Sequence, residues 1–228
     1  MHRITSNGDV KAILFGATGM VGQGVLRECL LDRDVEIVLS IGRSVTGQSH
    51  EKLRELVHKD FLDFTSIESE LTGFDASFFC LGVSSAGMAE AAYRRITYDF
   101  TLAAARTLVR LNPAMTFLYV SGQGTNSSGR SRIMWSRVKG ETENALLALP
   151  FKAAYMFRPG AIVPLDGIQS KTKSYRLIYA VMGPALPVLK KWLPSLVTST
   201  SQLGRAMLEV AKHGASKPVL ENSDINKF

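Results

Sequence analysis

Short apolar runs alternate along the chain with longer stretches in which apolar residues return every three or four positions. "VKAILF" (10–15) predicts a buried strand and "MVGQGVLRECLLD" (20–32) the helix after it, followed by a second strand at "VEIVLSIG" (35–42). A short third strand is expected around "LVHKDF" (56–61), and a fourth at "DASFFCLG" (75–82) leads into a long helix over 89–111. A fifth strand at "MTFLYVSG" (115–122) precedes the helix of "SRIMWSRVKGETENAL" (131–146). A sixth lies at "KAAYMFRPG" (152–160), and an amphipathic helix over 201–214 ends at Gly214, a residue suited to stopping a helix.

Continuous apolar strands separated by helices predict an α/β fold, a doubly wound parallel sheet covered on both faces. In such sheets ligands bind beyond the carboxyl ends of the strands. The length of 228 residues suits one such domain, spanning 1–228. The late segment "LIYAVMGPALPVLKKWLPSLV" is apolar but broken by Pro184, Pro187 and Pro194 and by Lys190 and Lys191. It therefore reads as a lid, substrate wall or subunit contact within 161–197 rather than as a membrane span.

Composition narrows the picture only modestly. The net charge of +7 is spread along the chain and favours anionic ligands, without a module for reading nucleic acid. Cys29 and Cys80 form no CxxC pair, and the four histidines lack ligand spacing, so no metal site is expected. The polar N-terminus carries no secretory signal, and with the unpaired cysteines it suggests a cytoplasmic protein.

Candidate chemistry gathers at strand ends. "FGATGMVG" sets Gly16, Gly19 and Gly22 between the first strand and helix, with Thr18, Met20 and Val21 completing the loop. The first glycine permits the turn, the second lets backbone approach a pyrophosphate, and the third lets helix and strand pack closely. The helix N-terminus then offers free N–H groups to phosphate. After the second strand, "IGRS" has Arg43 and Ser44 where NAD-binding proteins usually carry an acid. A guanidinium there favours a 2′-phosphate, hence NADP(H), with NAD the weaker choice. Asp60 and Phe61 are placed to flank the adenine, and Cys80, Leu81 and Gly82 end the fourth strand beside the dinucleotide. Cys80 reads as a packed residue rather than a nucleophile.

With these segments in order, the chain resembles the atypical branch of the short-chain dehydrogenase/reductase superfamily, and within it the Tat-interacting-protein subfamily. The likeness runs from "GATGMVG" through "IGRS", "FFCLG", "SGQGTNSSG", "VKGETE" and "FRPG" to "GRAMLEV". It implies a Rossmann-type fold that binds NADP(H), a serine after strand five and a Tyr-xxx-Lys pair on the next helix. The matching serine is Ser121, which by the pattern orients the substrate oxygen, and the matching lysine is Lys139, which by the pattern holds the nicotinamide ribose. Arg158, Pro159 and Gly160 match the turn that approaches the carboxamide, with Ile162 just beyond, while Tyr98 and Asp99 match positions facing the cofactor region.

The departure is Trp135, which stands where the family has its catalytic tyrosine. Residues four apart share a helix face, so Trp135 and Lys139 can still point into one cleft. Indole N–H donates a hydrogen bond but does not ionise in this range, so Trp135 cannot be the general acid. Tyr98 is the preferred substitute among the tyrosines, with Tyr119 assigned to the core. Arg130, Arg132 and Arg137 read as solvated decoration of the following helix.

Two function classes follow. The first is an atypical NADP(H)-dependent oxidoreductase acting on a small carbonyl or alcohol compound, for which the apolar 161–197 region suggests a hydrophobic one. The second is a non-catalytic NADPH-binding module that presents a surface to a protein partner. A cofactor-using epimerase or isomerase is a third reading, also weakened by the missing tyrosine. Related folds commonly form homodimers through the helix at 88–111.

Overall fold

The computed structural model describes residues 10–165, 167–168 and 195–228. Most of the expected lid, including Pro184, Pro187 and Pro194, lies outside the described residues. Among those described, no helix is long and apolar enough to cross a membrane.

Seven strands form one parallel sheet. In chain order the elements that build it begin with β1 (Val10–Phe15), α1 (Met20–Leu31), β2 (Val35–Gly42), β3 (Leu53–Val57) and β4 (Ala76–Phe79). A helix then runs through α2 (Glu90–Arg94), a π-helical turn at Arg95–Asp99, and α3 (Phe100–Leu111). β5 (Thr116–Val120), α4 (Met134–Leu147), β6 (Ala153–Arg158), β7 (Ala161–Val163), β8 (Val197–Ser199), α5 (Thr200–His213) and β9 (Val219–Glu221) complete the series. The sheet order is β3-β2-β1-β4-β5-β6-β9, and β7 pairs with β8 in a separate two-stranded sheet. Every pairing is parallel.

The strands are apolar on both faces because both faces are covered. On β1, Ala12 and Leu14 join Val25, Leu26 and Cys29 of α1 and Leu203, Met207 and Val210 of α5 in one core layer. Ile13 and Phe15 point the other way, into a layer with Ala104, Ala105 and Leu108 of α3 and Leu146 of α4. The alternation of period two thus feeds two layers rather than one wet and one dry face. The chain reverses direction of travel across the sheet between β1 and β4, which opens a crevice at their carboxyl ends.

Three departures from the sequence reading have local causes. The third strand lies earlier than 56–61, at Leu53–Val57, because the chain turns at His58. The His58 amide donates to the Gly42 carbonyl, its Nε2 lies 2.6 Å from the Asp60 carbonyl oxygen, and its ring stacks on Phe64. The helix over 89–111 is interrupted by the π-helical turn, an insertion that periodicity does not reveal. A seventh strand, β9, is too short at three residues to leave a pattern.

Candidate functional site

The loop after β1 is built around two backbone positions that only glycine satisfies. Gly16 has a φ of 82°, and a Cβ placed there would lie 2.7 Å from the Leu81 amide nitrogen and 2.8 Å from the Cys80 carbonyl carbon. A Cβ at Gly22 would come within 2.1 Å of the Gly16 carbonyl oxygen, so the first turn of α1 rests on the loop itself. Gly19 caps α1 in extended conformation with no side-chain capping bond, which leaves the N-terminal amides facing the crevice. No acidic residue stands in that first turn. The cradle suits a diphosphate in both space and charge.

Arg43 and Ser44 follow β2 directly and are exposed, and Arg43 makes no ion pair among the described residues. Asp60 is exposed, whereas Phe61 is buried in an aromatic cluster with Phe15, Phe64 and Phe100. Of that pair only Asp60 turns to solvent. The Cys80 amide donates to the Phe15 carbonyl, and burial pushes the Cys80 thiol well above its ordinary range, which disfavours a thiolate. Leu81 packs against the core and Gly82 is exposed.

Further along the crevice lies a cavity of about 470 Å³, lined by residues from the ends of three strands and two helices. Val83, Ser84 and Ser85 follow β4, Gly122 and Gln123 follow β5, and Pro159, Gly160 and Ala161 follow β6. α2 supplies Tyr93, and α4 supplies Trp135 and Lys139. The spacing of four on α4 does bring Trp135 and Lys139 to one cavity, and the edge of the indole packs over Gly124.

The loop from 121 to 129 is stitched to α4. Ser136 Oγ donates to the Gly124 carbonyl at 2.6 Å, the Asn126 amide to the Ser136 carbonyl, and Asn144 Nδ2 to the Ser127 carbonyl. Lys139 Nζ donates to the Ser121 carbonyl oxygen. Burial of this ammonium pushes its pKa down to about 8, with the carboxylate of Glu143 pulling weakly the other way.

Beneath the cavity sits a carboxylate that sequence reasoning passed over. Glu143 is fully buried, and its two oxygens receive Nε and Nη2 of Arg158. Ser121 Oγ lies 2.5 Å from Glu143 Oε1 and is itself buried. Ser121, expected to orient a substrate oxygen, places its hydroxyl on Glu143, and Gly122 and Gln123 line the cavity at that point. The Arg158 side chain likewise faces Glu143 and Glu221, leaving the backbone of Pro159 and Gly160 to form the wall. Ile162, on β7, packs against the core. Glu143 was discoverable, since it lies one further turn along the face that carries positions 135 and 139.

Tyr98 lies in the π-helical turn with the Arg94 guanidinium 4.4 Å over its ring, and Asp99 beside it is exposed. Tyr93, five residues earlier, is the tyrosine that lines the cavity. Tyr119 is buried in the core. Arg130 and Arg132 are exposed, while Arg137 donates to Glu90 and to the Ser131 carbonyl, which ties α4 to α2.

Comparison with known proteins agrees with the fold and with the overall plan. No family profile matches the chain. A fungal protein, "Protein FMP52-2, mitochondrial" of Scheffersomyces stipitis, is 27% identical over 212 residues, covering 91% of this chain and 88% of its own. "Protein HTATIP2" of Rattus norvegicus is 28% identical over 217 residues, covering 93% and 86%. Among solved structures, a short chain dehydrogenase family protein from Francisella tularensis superposes with a TM-score of 0.67 at 14% identity, covering 90% of this chain and 92% of that one. The enzyme WbmF of Bordetella bronchiseptica, solved in complex with NAD+, gives 0.68 at 12% identity, covering 98% and 78%. The expectation of a cytoplasmic protein is overturned by the fungal relatives, several of which are named mitochondrial. Unpaired cysteines report reducing conditions and do not distinguish one reducing compartment from another.

Proposed function

We propose that this chain, an atypical short-chain-dehydrogenase-like protein similar along its length to relatives of the Tat-interacting type, binds NADP(H) along the carboxyl edge of its sheet and reduces a small carbonyl compound or oxidises the matching alcohol. The observation that carries this reading is continuity. The glycine cradle at Gly16 and Gly22 abuts Cys80 and Leu81, and the cavity holding Trp135 and Lys139 begins at Val83, three residues beyond Cys80.

The residues fit the coenzyme at each end. The N-terminus of α1 receives the diphosphate, and Arg43 with Ser44 receives a 2′-phosphate through charge-assisted hydrogen bonds. Asp60 lies at the adenine end, Lys139 holds ribose hydroxyls, and the Pro159–Gly160 backbone faces the carboxamide. Bound NADPH supplies the hydride, the hard part of the reaction. What remains for the protein is to orient the substrate, exclude water and provide a proton. Gln123, Ser84, Ser85 and the indole of Trp135 offer donors in the cavity, and among the described residues no carboxylate lines it.

One experiment tests the proposal. NADPH and NADH are titrated against the folded protein, and then a panel of aldehydes and ketones is screened with the tighter coenzyme. Tighter NADPH binding and turnover are expected. Absence of binding to either coenzyme would overturn the reading.

A second reading rests on Trp135. An indole in the tyrosine's place favours a non-catalytic NADPH-binding module that contacts a protein partner. Tight NADPH binding with no turnover across the panel decides for it.

A further inference from the structure

The cavity contains few groups able to move a proton. Among the described residues lining it, Tyr93 and Lys139 are the ionisable ones. Tyr93 is 1% exposed, and burial raises its pKa above 10, so it holds its proton more tightly than a free phenol. Tyr98 is covered by Arg94 and does not line the cavity. Lys139 is anchored through the Ser121 carbonyl, which uses one of its three N–H bonds. Lys139 lines the cavity beside Trp135.

The groups around Lys139 can be named. Glu143, one turn along α4, is its charged neighbour, and that charge is matched by Arg158 of β6. Tyr93 stands across the cavity on α2. The remaining charges where α2 meets α4 pair with each other, Arg94 with Glu141 and Arg137 with Glu90.

We propose that Lys139 is itself the proton donor to the substrate oxygen, taking over the task of the tyrosine that Trp135 replaces. The inference rests on the oxidoreductase reading above. In the reducing direction the carbonyl carbon gains a C–H bond as the coenzyme is oxidised, and the C=O π pair moves onto oxygen. That oxygen takes a proton from Nζ, the N–H bond breaks, and the neutral amine regains its proton from solvent. An amine titrating near pH 8 is matched to this cycle, since it is mostly charged at neutral pH yet releases its proton readily.

The decisive variant is Lys139→Arg, which keeps a charged hydrogen-bonding group for the ribose but cannot release a proton below pH 12. Three quantities are measured on the whole protein: NADPH affinity, the pH dependence of kcat, and the NMR titration of the Lys139 ammonium without coenzyme. The NMR midpoint is expected near pH 8, and wild-type kcat for reduction should fall as pH rises through that value. Lys139→Arg should hold NADPH within a few-fold of wild type while kcat drops by ~10²-fold or more. An NMR midpoint above 10, or a wild-type kcat that is flat from pH 7 to 9, overturns the proposal even if the arginine variant fails to fold. So does an arginine variant with wild-type kcat. Turnover with any of these results refutes the lysine donor alone, whereas NADPH binding without turnover refutes the oxidoreductase reading with it.

Discussion

Glu143 and Arg158 form a two-point ion pair inside the protein, with Arg158 Nε 3.0 Å from one carboxylate oxygen and Nη2 on the other. The pair joins α4 to β6, and through Ser121 and Ser127 it also grips the loop after β5. Because Lys139 is on the same helix face as Glu143, the pair fixes the helix that presents the lysine.

Removing the Glu143 charge leaves Arg158 paired with Glu221 alone. Glu143→Gln is expected to destabilise the fold by ~2–3 kcal/mol. The exposed pair of Arg110 with Glu68 serves as the contrast, and Glu68→Gln should cost under about 1 kcal/mol. Urea unfolding of both variants checks this. Equal losses would mean that the buried pair does not organise the site.

The glycine loop makes a steric prediction. Gly22→Ala forces a methyl against the Gly16 carbonyl, where 2.1 Å is available, so helix and loop must separate. A loss of ~1–3 kcal/mol in stability is expected, together with weaker NADPH binding. Gly82→Ala, with nothing within 4 Å of the added carbon, should leave stability within about 0.5 kcal/mol. Thermal melts with and without NADPH compare the two.

The coenzyme preference depends on Arg43. Replacing it with Asp removes a charge-assisted bond to the 2′-phosphate and adds a repelling charge. NADPH affinity should fall by roughly 10- to 100-fold, the equivalent of one such bond, while NADH affinity holds or improves. Isothermal titration with each coenzyme reads the ratio directly. An unchanged ratio would place Arg43 outside the nucleotide site.

Lys139 also links stability to pH. Its folded pKa, about 8, lies below the ordinary lysine value of 10.5, so between these values the unfolded chain binds more protons than the folded one. Stability therefore gains a rising contribution from about pH 8 to 10.5, and below pH 8 the burial penalty is felt in full. Lys139→Met should remove that contribution. The difference between wild-type and variant denaturation midpoints, measured from pH 7 to 10, should shrink as pH rises.

How much of this was legible in the sequence depends on the length of each signal. β1 and β2 carry six and eight apolar-rich residues, and both were placed to the residue. β9 has three residues and was invisible, although it supplies Glu221 to the Arg158 network. That Trp135 and Lys139 reach one cavity was readable because helix periodicity is a local property. That Tyr93 lines the cavity was not readable, since the π-helical turn that holds Tyr98 shifts the helix face without altering the pattern that precedes it. The surroundings of Ser121 were hidden for a different reason. Its hydroxyl is set by Glu143, a partner 22 positions away that only the folded chain brings near.

The sharpest functional prediction concerns position 135. In Trp135→Tyr a phenol replaces the indole on the same helix face, one turn before an ammonium that can lower its pKa. If Lys139 alone donates the proton in the native protein, the variant gains a second and better-placed acid, and kcat for carbonyl reduction should rise by up to ~10²–10⁴-fold. Its pH profile should then follow the phenol rather than the amine, so the fall in kcat near pH 8 moves to higher pH. Steady-state rates with NADPH across pH 6 to 10 test both effects together. A variant that binds NADPH normally yet shows the native rate and the native profile would mean that position 135 no longer faces the reacting atoms.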